Sequence, residues 1–223
     1  MHFEFDHIFI CVARGGPEAS CLSAFGLTEG APNAHPGQGT ACRRFFFANF
    51  YIELLWVCSK SEAGSEVIRP TRLRERWESR AGSFCPFGFG LRPKNQDTGD
   101  IPFGAWEYRP AYLPAPLSIQ VATNTDVRSE PMLFYLSFAQ RPDAYPLAKR
   151  QPFEHLAGLK EVTRVTLFRP CAEALSPAMA VVTHGGLAQL LEGPEYLLEL
   201  GFDEELRGQR VQFRPMLPLA FCW

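Results

Sequence analysis

An imidazole and a carboxylate each stand inside a strongly apolar stretch. His7 lies in Phe3-Glu4-Phe5-Asp6-His7-Ile8-Phe9-Ile10-Cys11-Val12, and Glu53 lies in Phe50-Tyr51-Ile52-Glu53-Leu54-Leu55-Trp56-Val57. A carboxylate between Ile52 and Leu54 is costly to bury without a cation, a proton or a metal. If the two stretches share a sheet, His7 is the obvious partner. A His–Glu pair facing a cavity suits catalysis or ligation, whereas one sealed in a core only holds two strands in register. Both readings stay open from the residues alone.

Alternation along a strand puts Phe3, Phe5, His7, Phe9 and Cys11 on one face, and Tyr51, Glu53, Leu55 and Val57 on another. If both faces line one cavity, Phe5, Phe9 and Tyr51 are ligand-contact candidates beside the pair. Arg43 shares a face with Phe45 and Phe47; turned inward with Phe45 it would clamp a carboxylate ligand. A rim arginine with its stem on an apolar edge is the plainer account. His35 sits in the loop His35-Pro36-Gly37-Gln38-Gly39-Thr40 and would contact a ligand at a cavity mouth or bond its own turn. His184 reads as a helix-end cap, His2 and His155 as solvated, and Cys11 and Cys58 as core thiols. Gly88-Phe89-Gly90 is too short for a phosphate-binding loop.

These residues need strands to carry them. Residues 3–12, 41–48 and 50–57 read as strands, and Glu18–Phe25 reads as a helix between Gly15-Gly16-Pro17 and Gly26. Residues 65–80 are charged enough for an exposed helix, with Pro70 delaying its start. The centre offers strands at Phe84–Leu91, Trp106–Leu113, Ser118–Ala122 and Met132–Phe138, with a polar loop tip over Lys94–Gly99. Pro142–Pro152 reads as a connector. Towards the end come a strand at Val162–Leu167, a helix at Ala172–Val182, a hairpin of Leu187–Leu191 with Tyr196–Gly201, and a strand at Arg210–Arg214. Tyr51-Ile52-Glu53-Leu54 and Tyr196-Leu197-Leu198-Glu199-Leu200 share a grammar that suggests an internal βαβββ repeat.

Composition narrows the class. The 223 residues carry 22 basic and 24 acidic side chains, a formal charge of −2, which leaves no electrostatic footprint for nucleic acid or an anionic membrane. Nineteen phenylalanines against four methionines point to a thick β core or an aromatic-lined cavity. The seven cysteines form no CxxC pair, so free thiols in a reducing cytoplasm are expected. Glu4 and Asp6 inside the first apolar stretch argue against a signal peptide, and no apolar run reaches the ~20 residues that span a bilayer.

Asp6-His7 in the first strand, the helix ending in Phe25-Gly26-Leu27, the His35–Thr40 loop and the Tyr51–Leu54 strand together resemble a glyoxalase-like domain of the vicinal oxygen chelate superfamily, which includes bleomycin-resistance proteins and dioxygenases. The resemblance covers residues 3–57 and is loose beyond them. It implies an α+β fold of paired βαβββ modules forming a cupped mixed sheet with helices outside. The modules would fall at 1–58 and 158–223, with a helix and β-rich segment over 59–157 that is itself a candidate module beginning near Phe84. It further implies a divalent metal (Zn, Ni, Fe or Mn) held by one side chain from the first and one from the last strand of each module. His7 and Glu53 fall on the first two positions and Glu199 on another. A Phe84 start instead offers Cys85, Pro86 or Phe87, and a 160 start offers Thr163 or Arg164. For Glu199 an ion pair with Arg164 is the simpler account. The activity implied is that of an enzyme acting on a small carbonyl or aromatic compound, with His7 and Glu53 catalytic. The alternative is a metal-free small-molecule binding protein. A homodimer is expected because superfamily members pair modules between chains.

Overall fold

The computed structural model describes residues 2–82, 84–94 and 100–223. The protein is mixed α/β, with four short helices and two mixed sheets of eight and five strands among the described residues. The first strand, β1 (Phe3–Cys11), leads into helix α1 (Ala19–Phe25), which Gly26 ends at φ 106°. Strands β2 (Asn33–His35), β3 (Thr40–Phe46) and β4 (Tyr51–Val57) follow, then α2 (Lys60–Ala63) and α3 (Leu73–Glu78). The long helix expected over 65–80 is therefore only α3, because Arg69-Pro70-Thr71 winds into a tighter turn ending on Arg72 at φ 56°.

Strands β5 (Phe87–Pro93), β6 (Ala105–Tyr108), β7 (Ile119–Ala122) and β8 (Met132–Tyr135) complete the larger sheet in the order β2-β3-β4-β1-β5-β8-β7-β6. Its centre is symmetric in pairing: β1 is parallel to β4, β5 is parallel to β8, and β1 meets β5 antiparallel. The β5–β8 half repeats the pairing of β1–β4, with no helix between β5 and β6 among the described residues. Of the expected Lys94–Gly99 loop tip, all but Lys94 lies outside those residues.

The smaller sheet runs β10-β9-β11-β13-β12, from β9 (Val162–Arg169), α4 (Pro177–His184), β10 (Gln189–Glu192), β11 (Leu197–Phe202), β12 (Arg210–Gln212) and β13 (Leu219–Cys222). The expected 187–201 hairpin does not form. β10 returns across α4 to lie parallel to β9, and β11 pairs antiparallel on the other side of β9. Parallel, antiparallel and parallel pairings thus recur here as in the larger sheet.

The two sheets share one core. Ile8, Ile10, Phe45, Ile52, Leu54 and Phe89 pack with Val165, Leu167, Leu198, Leu200 and Phe221. A second cluster on the opposite face of the larger sheet contains Phe9, Cys11, Cys42, Leu55, Met132 and Phe134. No helix in the described residues is long and apolar enough to cross a membrane.

Candidate functional site

A β-bulge decides which face His7 takes. The β1·β5 register shifts between Phe5 and His7, so Phe3 and Phe5 join the core face with Ile8 and Ile10. His7, Phe9 and Cys11 turn to the opposite side. There His7 pairs across with Tyr51 and Gly90, Phe9 with Glu53 and Gly88, and Glu53 with Arg44. Partners in register share a face, which gathers His7, Arg44, Tyr51 and Glu53 onto one wall. That wall lines a cavity of about 250 Å³ whose other sides include His35, Gln38, Tyr108, Tyr112, Met132 and Phe134.

Glu53 is 7% exposed and lies between two imidazoles. His7 Nε2 is 3.5 Å from one carboxylate oxygen and His35 Nε2 is 3.7 Å from the other. On its far side, His7 Nδ1 meets the Asp6 carboxylate at 2.7 Å. Arg92 donates to Asp6 at 3.0 Å, to Glu4 at 2.8 Å and to the Asn49 carbonyl at 2.7 Å. Burial pushes the Asp6 pKa up, yet the His7 hydrogen bond and the charges of His7 and Arg92 prevail, holding it below 3.8. The ionised carboxylate holds His7 with Nδ1–H toward Asp6, so Nε2 faces Glu53 and the cavity.

His35 is held equally firmly. Its Nδ1 pairs with Thr40 Oγ1 at 2.9 Å, Gln38 donates to the same oxygen at 2.7 Å, and Tyr108 donates to Gln38 at 2.8 Å. Burial lowers the His35 pKa more than the nearby Glu53 raises it, with Arg44 and His7 adding to the fall. The imidazole is therefore favoured neutral. Cys42 is fully buried on the same face, and burial together with Glu53 raises its thiol pKa far above 9.0. Tyr51 stacks on His7 with centroids 4.4 Å apart, and burial followed by Asp6 and Glu53 keeps its phenol protonated.

The structure thus brings His7, Glu53, His35, Phe9 and Tyr51 to one cavity and leaves four expected residues outside it. Phe5 is on the core face because of the bulge. Phe45 pairs with Ile52 in that same core, so the alternation that ties Arg43 to Phe45 turns Arg43 away too. Arg43 instead bonds Glu29 at 2.6 Å and the Gly16 carbonyl at 3.0 Å, and Arg44 faces the cavity. Glu199 lies in the smaller sheet, where Arg164 at 2.9 Å and Arg210 at 3.0 Å take both its oxygens. Cys58 is exposed rather than a core thiol.

Sequence reasoning missed Asp6, Cys42, Arg92, Tyr108 and Tyr112. An acid directly beside His7 in an apolar strand was the one local signal, since a second carboxylate there also demands a cation. Of the other four, Cys42, Arg92 and Tyr108 meet the site through pairing between distant strands, and Tyr112 comes from the turn after β6. His155, expected in solvent, is half-buried and ties the segment after α1 to the end of β3: its Nδ1 accepts from the Thr28 N–H at 3.0 Å and its Nε2 meets the Phe46 carbonyl at 2.8 Å.

No family model and no curated protein matches the sequence. Among solved structures, the chain is similar to the crystal structure of a hypothetical protein from Staphylococcus aureus at 11% identity and TM-score 0.52, with 99% of each chain covered. A hypothetical protein from Bacillus halodurans matches at 13% identity and TM-score 0.42, over 63% of this chain and 98% of that one. At that identity, the likeness to the Staphylococcus aureus protein shows a shared fold and nothing of chemistry.

Proposed function

We propose that this protein is a glyoxalase-like enzyme of the vicinal oxygen chelate superfamily that moves a proton on a small carbonyl or aromatic compound. The larger sheet would be the cup of paired modules, with helices on its outside. What supports the family reading is the repeated strand order of the larger sheet, with His7 on its first strand and Glu53 on its fourth. What carries the chemistry is the facing of His7 Nε2 and Glu53 across 3.5 Å on a cavity wall, with Asp6 anchoring the other ring nitrogen. Two acceptor atoms that close and buried favour sharing a proton, the property an acid–base pair needs. Glu53 accepts a proton from a carbon beside the substrate carbonyl, and the C–H electron pair moves onto the carbonyl oxygen as an enediolate or enolate. The proton passes to His7 Nε2 across the 3.5 Å pair, and His7 gives it to the oxygen and then the neighbouring carbon for isomerisation, or trades it with solvent before carbon is reprotonated for exchange.

The superfamily's metal set of four side chains does not fit this chain. The β5 and β8 residues on the cavity face are Gly88, Gly90, Met132 and Phe134, none a ligand for a hard or borderline cation. Neither glycine can be exchanged for a ligand freely. A Cβ at Gly88 would stand 1.9 Å from the Phe9 ring, and one at Gly90 would stand 2.9 Å from the His7 ring.

The test is hydrogen exchange in D₂O, followed by proton NMR, on a panel of small 2-oxo and aromatic carbonyl compounds. Substrate α-protons wash out with the wild type, and Glu53→Gln lowers the rate by roughly 10²-fold or more. Exchange that survives both Glu53→Gln and His7→Ala sinks the assignment. The rings of Phe9, Tyr51, Tyr108, Tyr112 and Phe134 on the wall favour one second reading, a metal-free binding protein for planar compounds. It predicts thermal stabilisation by such compounds that Glu53→Gln leaves in place, with no exchange.

A further inference from the structure

We propose that His35, Cys42 and Glu53 form a three-ligand site for one borderline divalent cation of the zinc or cobalt kind, built wholly from the β2–β4 part of the larger sheet. One donor atom from each residue lies within 4.8 Å of the other two, and all three residues are buried. A tetrahedral ion with bonds of about 2.0 Å to N or O and about 2.3 Å to S needs donors somewhat closer than that, so modest side-chain rotation assembles the set. The register supplies the cluster: Asn33 lies opposite Cys42, His35 opposite Thr40, and Arg44 opposite Glu53.

Two independent features point to a cation. Glu53 is 7% exposed, lines the cavity, and pairs with no lysine or arginine among the described residues. A buried carboxylate whose neighbours are two imidazoles beyond normal hydrogen-bond length and the weakly donating Cys42 thiol lacks the cation such groups require. Second, His35 is oriented as metal-bound histidines are. The Thr40–Gln38–Tyr108 chain grips Nδ1 and leaves Nε2 directed at Glu53. Asn33 now covers Nε2 at 3.0 Å and must swing aside for the ion.

Mixed N, S and O donors select a borderline metal over calcium or magnesium. Three protein ligands beside a cavity leave a fourth position for water or a ligand oxygen, the pattern of catalytic rather than structural zinc sites. Binding releases the Cys42 thiol proton to solvent, and the other Glu53 oxygen stays on the His7 side.

The decisive experiment is titration of chelator-stripped protein with Co²⁺, read by absorption. One equivalent produces a near-ultraviolet thiolate-to-cobalt charge-transfer band together with the visible bands of a four-coordinate ion. Cys42→Ser abolishes the charge-transfer band, His35→Gln weakens cobalt binding at least tenfold, and Cys58→Ser at the exposed thiol changes neither. No charge-transfer band in the wild type, or one that survives Cys42→Ser, overturns the site. If Cys42→Ser fails to fold, X-ray absorption of the wild type loaded with zinc decides, since one sulfur at about 2.3 Å is required. This inference does not rest on the proposed activity. Cobalt binding without proton exchange retires the enzyme and keeps the metal, and exchange without cobalt binding does the reverse.

Discussion

Asp6 and His7 are neighbours in the chain, yet their side chains meet at 2.7 Å on one side of a strand, where adjacent residues ordinarily point apart. The bulge between Phe5 and His7 makes this contact, and Arg92 behind Asp6 holds it in charge balance. Removing that guanidinium strands two carboxylates. Arg92→Met therefore destabilises the fold by about 3–5 kcal/mol in urea unfolding near neutral pH.

Glu53→Gln has the opposite sign. It replaces a buried carboxylate that no lysine or arginine pairs with among the described residues by a neutral group of the same shape, so metal-free protein gains on the order of 1 kcal/mol while losing proton exchange. Calorimetry of wild type and variant in chelator checks it; a lower Tm for the variant contradicts the charge argument.

Gly88 exists for Phe9. An added methyl would overlap the Phe9 ring at 1.9 Å, so Gly88→Ala costs about 1–3 kcal/mol. Phe9→Leu in the same chain relieves the overlap. The double variant is consequently less destabilised than the sum of the two single changes, and additivity would show that the glycine serves something else.

His155 gives the fold a pH dependence of known sign. Burial lowers its pKa below 6.5, although the Phe46 carbonyl opposes this, so the folded ring resists the proton that the unfolded ring accepts. Its contribution to stability is complete above pH ~6.5 and is lost as pH falls from there toward the folded pKa. Unfolding free energies across pH 5 to 8 for wild type and His155→Ala test this. The wild type declines more steeply on the acid side, and parallel curves refute the assignment.

Asp203, Glu204 and Glu205 all take left-handed backbone, with φ of 52°, 59° and 58°. Glu204 is exposed, and its N–H donates to Thr163 Oγ1 at 3.1 Å, a bond that glycine retains. Glu204→Gly stabilises by roughly 1 kcal/mol, because glycine adopts this conformation without the Cβ penalty. Chemical denaturation resolves a change of that size.

The sequence displays β1, α1, β4 and the two residues His7 and Glu53, because strong apolar alternation around a polar residue is a local signal. It does not display the bulge at Asp6, which reverses the parity of the strand and sends Phe5 to the core while His7 keeps the cavity. Nor does it show which face of β3 meets the cavity. Arg43 and Phe45 do share a face, but Ile52 and Leu54 across from them belong to the inter-sheet core. Leu187–Leu191 and Tyr196–Gly201 have the look of a hairpin, and only the α4 crossover separates them onto opposite sides of β9. Cys42 carries no local mark at all, since its meaning depends on His35 and Glu53 arriving from other strands.

The larger sheet gives its two faces different duties. Ile8 and Ile10 look inward to the smaller sheet, whereas His7, Phe9 and Cys11 look outward to the cavity. A stability requirement therefore falls on every second residue of β1, and the residues between are released from it. Mutational drift on the outward positions can retune what the cavity accepts while the shared core holds the chain in shape. The five-stranded sheet, on this account, is the ballast that makes the other sheet's chemistry evolvable.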